Sequence, residues 1–169
     1  MSSPACRAAC HETFETMLRI GLISDTHGLL RPAAADFLHG CARIVHAGDV
    51  GDAAILEALA SIAPVIAVRG NNDHGAVLEG LPEAAQAELA GVRLYVLHDL
   101  KQLAIDPAAA GVNVVVSGHS HRPLVEERAG VLYVNPGSAG RRRFKLPICV
   151  GELVVDGREV MPRLVELDG

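Results

Sequence analysis

The sequence predicts an α/β protein in which two β-sheets pack face to face with helices outside. Its first half alternates strand, helix, strand, helix, strand, the rhythm of parallel strands joined by right-handed crossovers. Its second half is strand after strand with turn signals between. A length of 169 residues, half of them hydrophobic, supports one substantial core and falls short of two. One domain is therefore expected over residues 17–169. The segment 1–16 shows no period and is expected to be a disordered or dispensable tail, with Met17 as the natural initiator or the first ordered residue.

Each element has a local reason. The change at Met17-Leu18-Arg19-Ile20 opens the first strand, Leu18 to Ser24. Pro32 suits the first turn of a helix that runs to Leu38, and Gly40 stops it. Ile44 to Ala47 is a second short strand. Asp52 caps a helix whose Ile55, Leu56, Leu59 and Ile62 share one face. Pro64 to Val68 is the third strand. Beyond Pro82 the rhythm changes: Gln86 to Leu89 and Val92 to Leu97 flank Ala90-Gly91 as a hairpin. A short helical piece is expected around Asp106 to Ala110. It precedes Val112 to Ser117, whose valines are β-branched and suit a buried strand. Leu124 to Glu127, Val131 to Val134, Ile148 to Val155 and Glu159 to Leu167 complete the set, the last two joined across an Asp156-Gly157 turn. An edge strand near the C-terminus leaves a homo-oligomer open.

Composition excludes several classes. A formal net charge of −5 gives no basis for holding a polyanion by bulk electrostatics, so nucleic acid enters only as a substrate met at a site. No apolar segment approaches the roughly 18 residues of a membrane span, and the N-terminus lacks the apolar core of a signal peptide, so a cytoplasmic location without membrane contact is the expectation. Cys6, Cys10, Cys41 and Cys149 have no disulfide-framework spacing. Cys41 and Cys149 read as buried apolar residues, and Cys6 and Cys10, beside His11, as thiols in a tail without a second metal half-site.

Five apolar runs finish in potential metal ligands: Asp25 and His27, Asp49, Asn71, His98, then His119 and His121. At the last of them Gly118 lets the chain bend, and side chains two apart in an extended segment point the same way, so both imidazoles can face one site. Ligands of open α/β sheets bind beyond the carboxyl ends of the strands, where these seven donors would converge. Seven is too many for one tetrahedral ion and suits two ions sharing a carboxylate, for which Asp49, alone on its turn, is the natural bridge. Two divalent ions bring four positive charges against the two negatives of Asp25 and Asp49. The surplus suits a hydroxide and an anionic phosphate ester, with ions roughly 3.5 to 4 Å apart holding the attacking and leaving oxygens. Imidazole with carboxylate and no thiolate points to manganese first, with nickel, iron, cobalt or zinc also suited, and away from calcium.

In this order the motifs Asp25-x-His27, Gly48-Asp49, Gly70-Asn71-Asn72-Asp73, His98, Gly118-His119-Ser120-His121 and Asn135-Pro136-Gly137-Ser138 resemble the calcineurin-like metallophosphoesterase superfamily, most of all its small prokaryotic phosphodiesterases. The resemblance covers Leu18 to about Leu167. It implies a four-layer α/β/β/α sandwich of two mixed β-sheets flanked by helices, and hydrolysis of a small-molecule phosphoester by a hydroxide bridging two divalent metal ions. It also implies that Asp25, His27, Asp49 and His121 hold one ion and Asp49, Asn71, His98 and His119 the other. Asp49, Asn71 and His119 would then lie nearest the reacting atoms.

Two positions depart from that pattern. Where many superfamily phosphatases carry a histidine that protonates the leaving group or binds the phosphate, this chain has Asn72, which cannot act as an acid. His74 is either its substitute or an ordinary loop histidine. His98 is followed by Asp99 where glycine is usual. Asn72, Asn135, Ser138 and Arg142 are the candidate substrate contacts, set against a plain Pro-Gly turn at Asn135-Ser138 and a solvated loop at Arg141-Arg142-Arg143. His46 reads as a core or supporting histidine. Phosphodiester hydrolysis leads, with a phosphomonoesterase or a protein-binding scaffold like the retromer subunit as alternatives.

Overall fold

The first strand buries both of its faces, which is why it reads as an apolar run rather than an alternation. Leu18–Ile23 (β1) sends Ile20 and Leu22 into one hydrophobic layer and Ile23 into another. The computed structural model describes residues 17–143 and 145–168, so the expectations for the tail, with Cys6, Cys10 and His11, fall outside the described residues. Pro32–Leu38 (α1) begins at its proline and ends at Leu38 as the sequence predicts. Arg43–His46 (β2) pairs parallel to β1. In Ala53–Ala60 (α2) the Asp52 side chain caps the helix by accepting from the Ala54 N–H. Val65–Ala67 (β3) pairs parallel to β2. The four-residue helix Ala76–Glu79 (α3) is too short to announce itself by periodicity.

Ala84–Leu89 (β4) and Val92–Leu97 (β5) form the expected hairpin. Val114–Val116 (β6), Leu124–Arg128 (β7) and Val131–Asn135 (β8) follow, then the long hairpin of Cys149–Asp156 (β9) and Glu159–Glu166 (β10). Two five-stranded mixed sheets result, ordered β10-β9-β1-β2-β3 and β4-β5-β6-β8-β7. Three adjacent strands of each run parallel, so β1, β2 and β3 of the first sheet, and β5, β6 and β8 of the second, each bring their carboxyl ends to one edge.

The sheets meet through Ile20, Leu22, Val45 and Leu153 on one side and Leu94, Val96, Val114, Val116 and Val134 on the other. Each such side chain contributes roughly 1.5–3 kcal/mol by leaving water. Leu38, Ile55, Leu59 and Leu78 of the three helices cover the outer face of the first sheet. The outer face of the second is covered more thinly, by Leu100, Leu103 and Ile105 over Tyr95, Val115 and Tyr133. Here the sequence reading and the structure differ. Residues 106–110 make a single hydrogen-bonded turn, Ala110 N–H to Asp106 C=O at 3.0 Å, which Gly111 ends in a left-handed conformation (φ 70°). One turn fixes three residues for one bond and does not propagate without more length. Cys41 and Cys149 are buried, and burial pushes both thiols up, as expected of packing residues.

Candidate metal centre

The edge formed by these carboxyl ends carries all seven donors, and the backbone that presents them is unusual. Among the described residues the non-glycine positions in the left-handed region are Asp25 (φ 53°), His27 (46°), Asp49 (55°), His119 (64°) and His121 (56°), joined only by Ala90 and Ala129 in hairpin turns. Such conformations cost on the order of 1–3 kcal/mol each and persist where the surroundings enforce them.

Those surroundings are visible. Ser24 Oγ donates to Asp25 Oδ2 at 2.6 Å, and the His119 N–H donates to the same oxygen at 3.1 Å, so the turns after β1 and β6 are tied through one carboxylate. Gly118 makes this approach possible, because a Cβ there would run into Ser24 Oγ and Asp25 Oδ2. Beneath them His46 is fully buried; its Nδ1 accepts from the Gly48 N–H at 3.2 Å and its Nε2 lies 3.0 Å from Thr26 Oγ1, which donates to the Val50 carbonyl at 2.9 Å. Burial pushes this imidazole down to about 4, so it is neutral, with Nδ1 as acceptor and Nε2–H as donor.

Asp49 lies between two clusters. On one side Asp25 Oδ1 is 3.3 Å from His121 Nε2 and 3.8 Å from His27 Nε2; the two imidazole nitrogens are 3.3 Å apart, and His27 Nε2 is 3.7 Å from Asp49 Oδ2. On the other, His98 Nε2 is 3.4 Å from the same Asp49 Oδ2 and 3.1 Å from Asn71 Oδ1, which is 3.0 Å from His119 Nδ1. His98 Nδ1 is 2.7 Å from the Ala47 carbonyl. That carbonyl can only accept, so a neutral His98 carries its hydrogen there and turns an Nε2 lone pair toward Asp49 and Asn71, which are acceptors too. Three acceptors meeting one another need a cation or a proton. Consistently, although burial alone would push His98 down, Asp49 and the Ala47 carbonyl hold it above its ordinary value. Burial likewise opposes ionisation of Asp49, but hydrogen bonds with His98 and Asn72 outweigh it and hold the carboxyl far below the usual range.

These residues fit divalent metal ions. Asp25 Oδ1 is buried without a hydrogen-bond partner, a costly state for a carboxylate oxygen unless something else binds there. Asp25, His27 and His121 offer donor atoms close enough to share one ion, and Asp25, Asp49 and His98 form an overlapping group. A hollow of about 240 Å³ opens beside Asn71, His98 and His119, lined further by Arg69, Glu83, Asp99 and Gln102.

The remaining candidates sit around this centre. Asn72 grips Asp49 twice, backbone N–H to Oδ1 at 2.8 Å and Nδ2 to Oδ2 at 2.7 Å. Asn135 Nδ2 donates to the Gly118 carbonyl at 2.7 Å and Ser138 Oγ to the Asp25 carbonyl at 2.9 Å, so each braces a ligand-bearing turn. His74 lines another surface hollow, with Gly51, Asp52 and Val77. Of the arginine run it is Arg143, rather than Arg142, whose charge is felt at His27: burial pushes that ring down and the guanidinium adds to the effect, against Asp49 and Asp25. Sequence reasoning missed Ser24, Thr26 and Asp73, which accepts from the Gly51 and Gly70 N–H groups; the signal was a small polar residue beside each ligand turn.

Comparison with known proteins agrees with this geometry. Residues 18–158 match the model of the calcineurin-like phosphoesterase superfamily domain. The chain is 36% identical over 149 residues to the probable metallophosphoesterase MJ0623 of Methanocaldococcus jannaschii, covering 78% of this chain and 75% of that protein. It is 32% identical over 162 residues to the phosphodiesterase YfcE of Escherichia coli, covering 81% and 88%. Among solved structures, vacuolar protein sorting 29 of Cryptosporidium parvum superposes with a TM-score of 0.77 at 21% identity, covering 90% and 92%, which speaks to the fold alone. The chain belongs to the calcineurin-like phosphoesterase superfamily.

Proposed function

We propose that this protein is a metal-dependent phosphodiesterase whose seven edge donors hold two divalent transition-metal ions with Asp49 shared between them. One observation carries the reading: Asp49 Oδ2 lies 3.7 Å from His27 Nε2 and 3.4 Å from His98 Nε2, at the junction of two clusters of electron-pair donors. Bound there, such ions would lower the pKa of a shared water and offset the negative charge of a phosphate. The chain's own residues do the rest. Asn72 fixes the shared carboxylate, Asn135 and Ser138 hold the two ligand turns in register, and the open side at Asn71 and His119 admits the substrate. Arg143 adds positive charge near His27. Because Asn72 cannot give up a proton, a diester with a good leaving alcohol suits the site better than a monoester. Manganese is the first choice of ion; a small-molecule phosphoester is the proposed substrate and the cytoplasm the proposed location.

A protein-binding scaffold on the same fold is the rival reading, and the unsatisfied Asp25 Oδ1 argues for chemistry, since burying it without a cation is costly. The test is turnover of bis(p-nitrophenyl) phosphate and p-nitrophenyl phosphate by chelator-stripped protein to which Mn²⁺, Ni²⁺ or Zn²⁺ is returned. Metal-dependent turnover favouring the diester by about tenfold or more, equal to about 1.4 kcal/mol, is expected. Rates unmoved by chelation and by His119→Ala would remove the enzyme.

A further inference from the structure

We infer that Asp99 is a positioning residue for the outer ion, the one assigned to Asp49, Asn71, His98 and His119: its carboxylate holds the His119 ring so that Nδ1 faces Asn71 and Nε2 keeps the proton. The inference rests on the two-ion reading above. Each of the two outer imidazoles needs something to fix its orientation and its tautomer. His98 is buried and has the Ala47 carbonyl at 2.7 Å. His119 has no such support. Its side chain is 43% exposed, its Nδ1 is 3.0 Å from Asn71 Oδ1, and the group facing its Nε2 is Asp99 Oδ2 at 3.9 Å.

Asp99 is itself held in place. Its Oδ1 accepts from the Lys101 N–H at 3.0 Å, capping the 3-10 turn Leu100–Gln102, and this leaves Oδ2 for the imidazole. A separation of 3.9 Å exceeds a direct hydrogen bond, and a small rotation of the exposed ring would close it. A carboxylate on the far nitrogen of a ligating histidine fixes the tautomer and raises the ring's basicity, and losing it typically weakens metal binding 10–100-fold.

The competing role for Asp99 is a turn cap alone, and substitutions separate the two. Asp99→Asn keeps an acceptor for the Lys101 N–H and removes the charge, whereas Asp99→Ala removes both. Chelator-stripped full-length protein is titrated calorimetrically with Mn²⁺, with circular dichroism of the metal-free variants as the fold control. Wild type should take up two ions. Asp99→Asn should bind the first unchanged and the second 10–100-fold more weakly, Asp99→Glu should recover part of the loss, and Asp99→Asn should change nothing further in a His119→Ala background. Asp99→Asn titrating like wild type overturns the assignment, whether or not Asp99→Ala is impaired. So does equal weakening of both ions. A wild-type stoichiometry of one overturns the two-ion reading and this inference with it.

Discussion

Asp25 and His121 are buried, His27 is half-buried, and the three are braced from below, whereas Asn71 and His119 stand exposed beside an open hollow. The inner cluster leans on Ser24, on the Ser138 hydroxyl and on the Thr26–His46 chain. The outer one has the Ala47 carbonyl under His98 and the more distant Asp99 beside His119. A preorganised, low-dielectric set of donors binds a cation tightly, because little has to be ordered and little water remains to screen the charge. An open set exchanges its ion with solvent and faces the substrate. On the proposed two-ion reading, this difference would assign retention to one cluster and reactivity to the other, with Asp49 joining them.

The harshest way to break that division is to remove the joint. Asp49→Asn should lower phosphodiester turnover by about 1,000-fold or more, about 4 kcal/mol of barrier, and weaken both ions. Activity within tenfold of wild type would mean the clusters work apart.

A second prediction isolates the support beneath the inner cluster. Burial pushes His46 down from its ordinary 6.5 to about 4 in the folded chain. Below pH 6.5 the unfolded chain binds a proton that the folded one refuses, so the stabilisation from a neutral His46 is complete above 6.5 and falls as pH drops toward 4, by about 3 kcal/mol at most. Urea unfolding of metal-free protein should show this slope, and His46→Gln should flatten it. Identical pH profiles would remove His46 from the account.

Next comes the contrast itself. His121→Ala and His119→Ala should each reduce turnover by roughly 100-fold, about 2.7 kcal/mol. Only the His119 variant should recover with millimolar Mn²⁺, since it loses a ligand to the exchangeable ion; equal recovery would erase the inner–outer distinction. The mildest change lies away from the edge: Asp52→Ala removes the α2 cap and should cost about 1 kcal/mol of stability with kcat/KM unchanged.

Much of this was legible in the chain because its cues are local. Pro32 and Leu38 bound α1, Asp52 caps α2, and Ala90-Gly91 turns the β4–β5 hairpin as read. The gathering of seven donors at one edge was legible as well, because each follows an apolar run and parallel strands put their carboxyl ends together. At His74 the sequence left a substitute acid and an ordinary loop histidine open. This histidine lies three residues beyond Asn71, yet the Asp73 carboxylate anchors the turn to Gly51 and Gly70 and His74 lines a different hollow. Asn135 and Ser138 read as candidate substrate contacts or a plain Pro-Gly turn, and only the tertiary structure reveals their bonds to the Gly118 and Asp25 carbonyls. The short helical piece expected around Asp106 to Ala110 is one turn, because a segment this short does not propagate a helix.

Anomalous diffraction from crystals grown with Mn²⁺ tests the shared-carboxylate centre most directly. Two peaks astride Asp49 are expected, the inner one bounded by Asp25, His27 and His121 and surviving a brief chelator soak that empties the outer one. Electron density without anomalous signal at this edge, or one ion that leaves Asp49 untouched, would contradict this expectation.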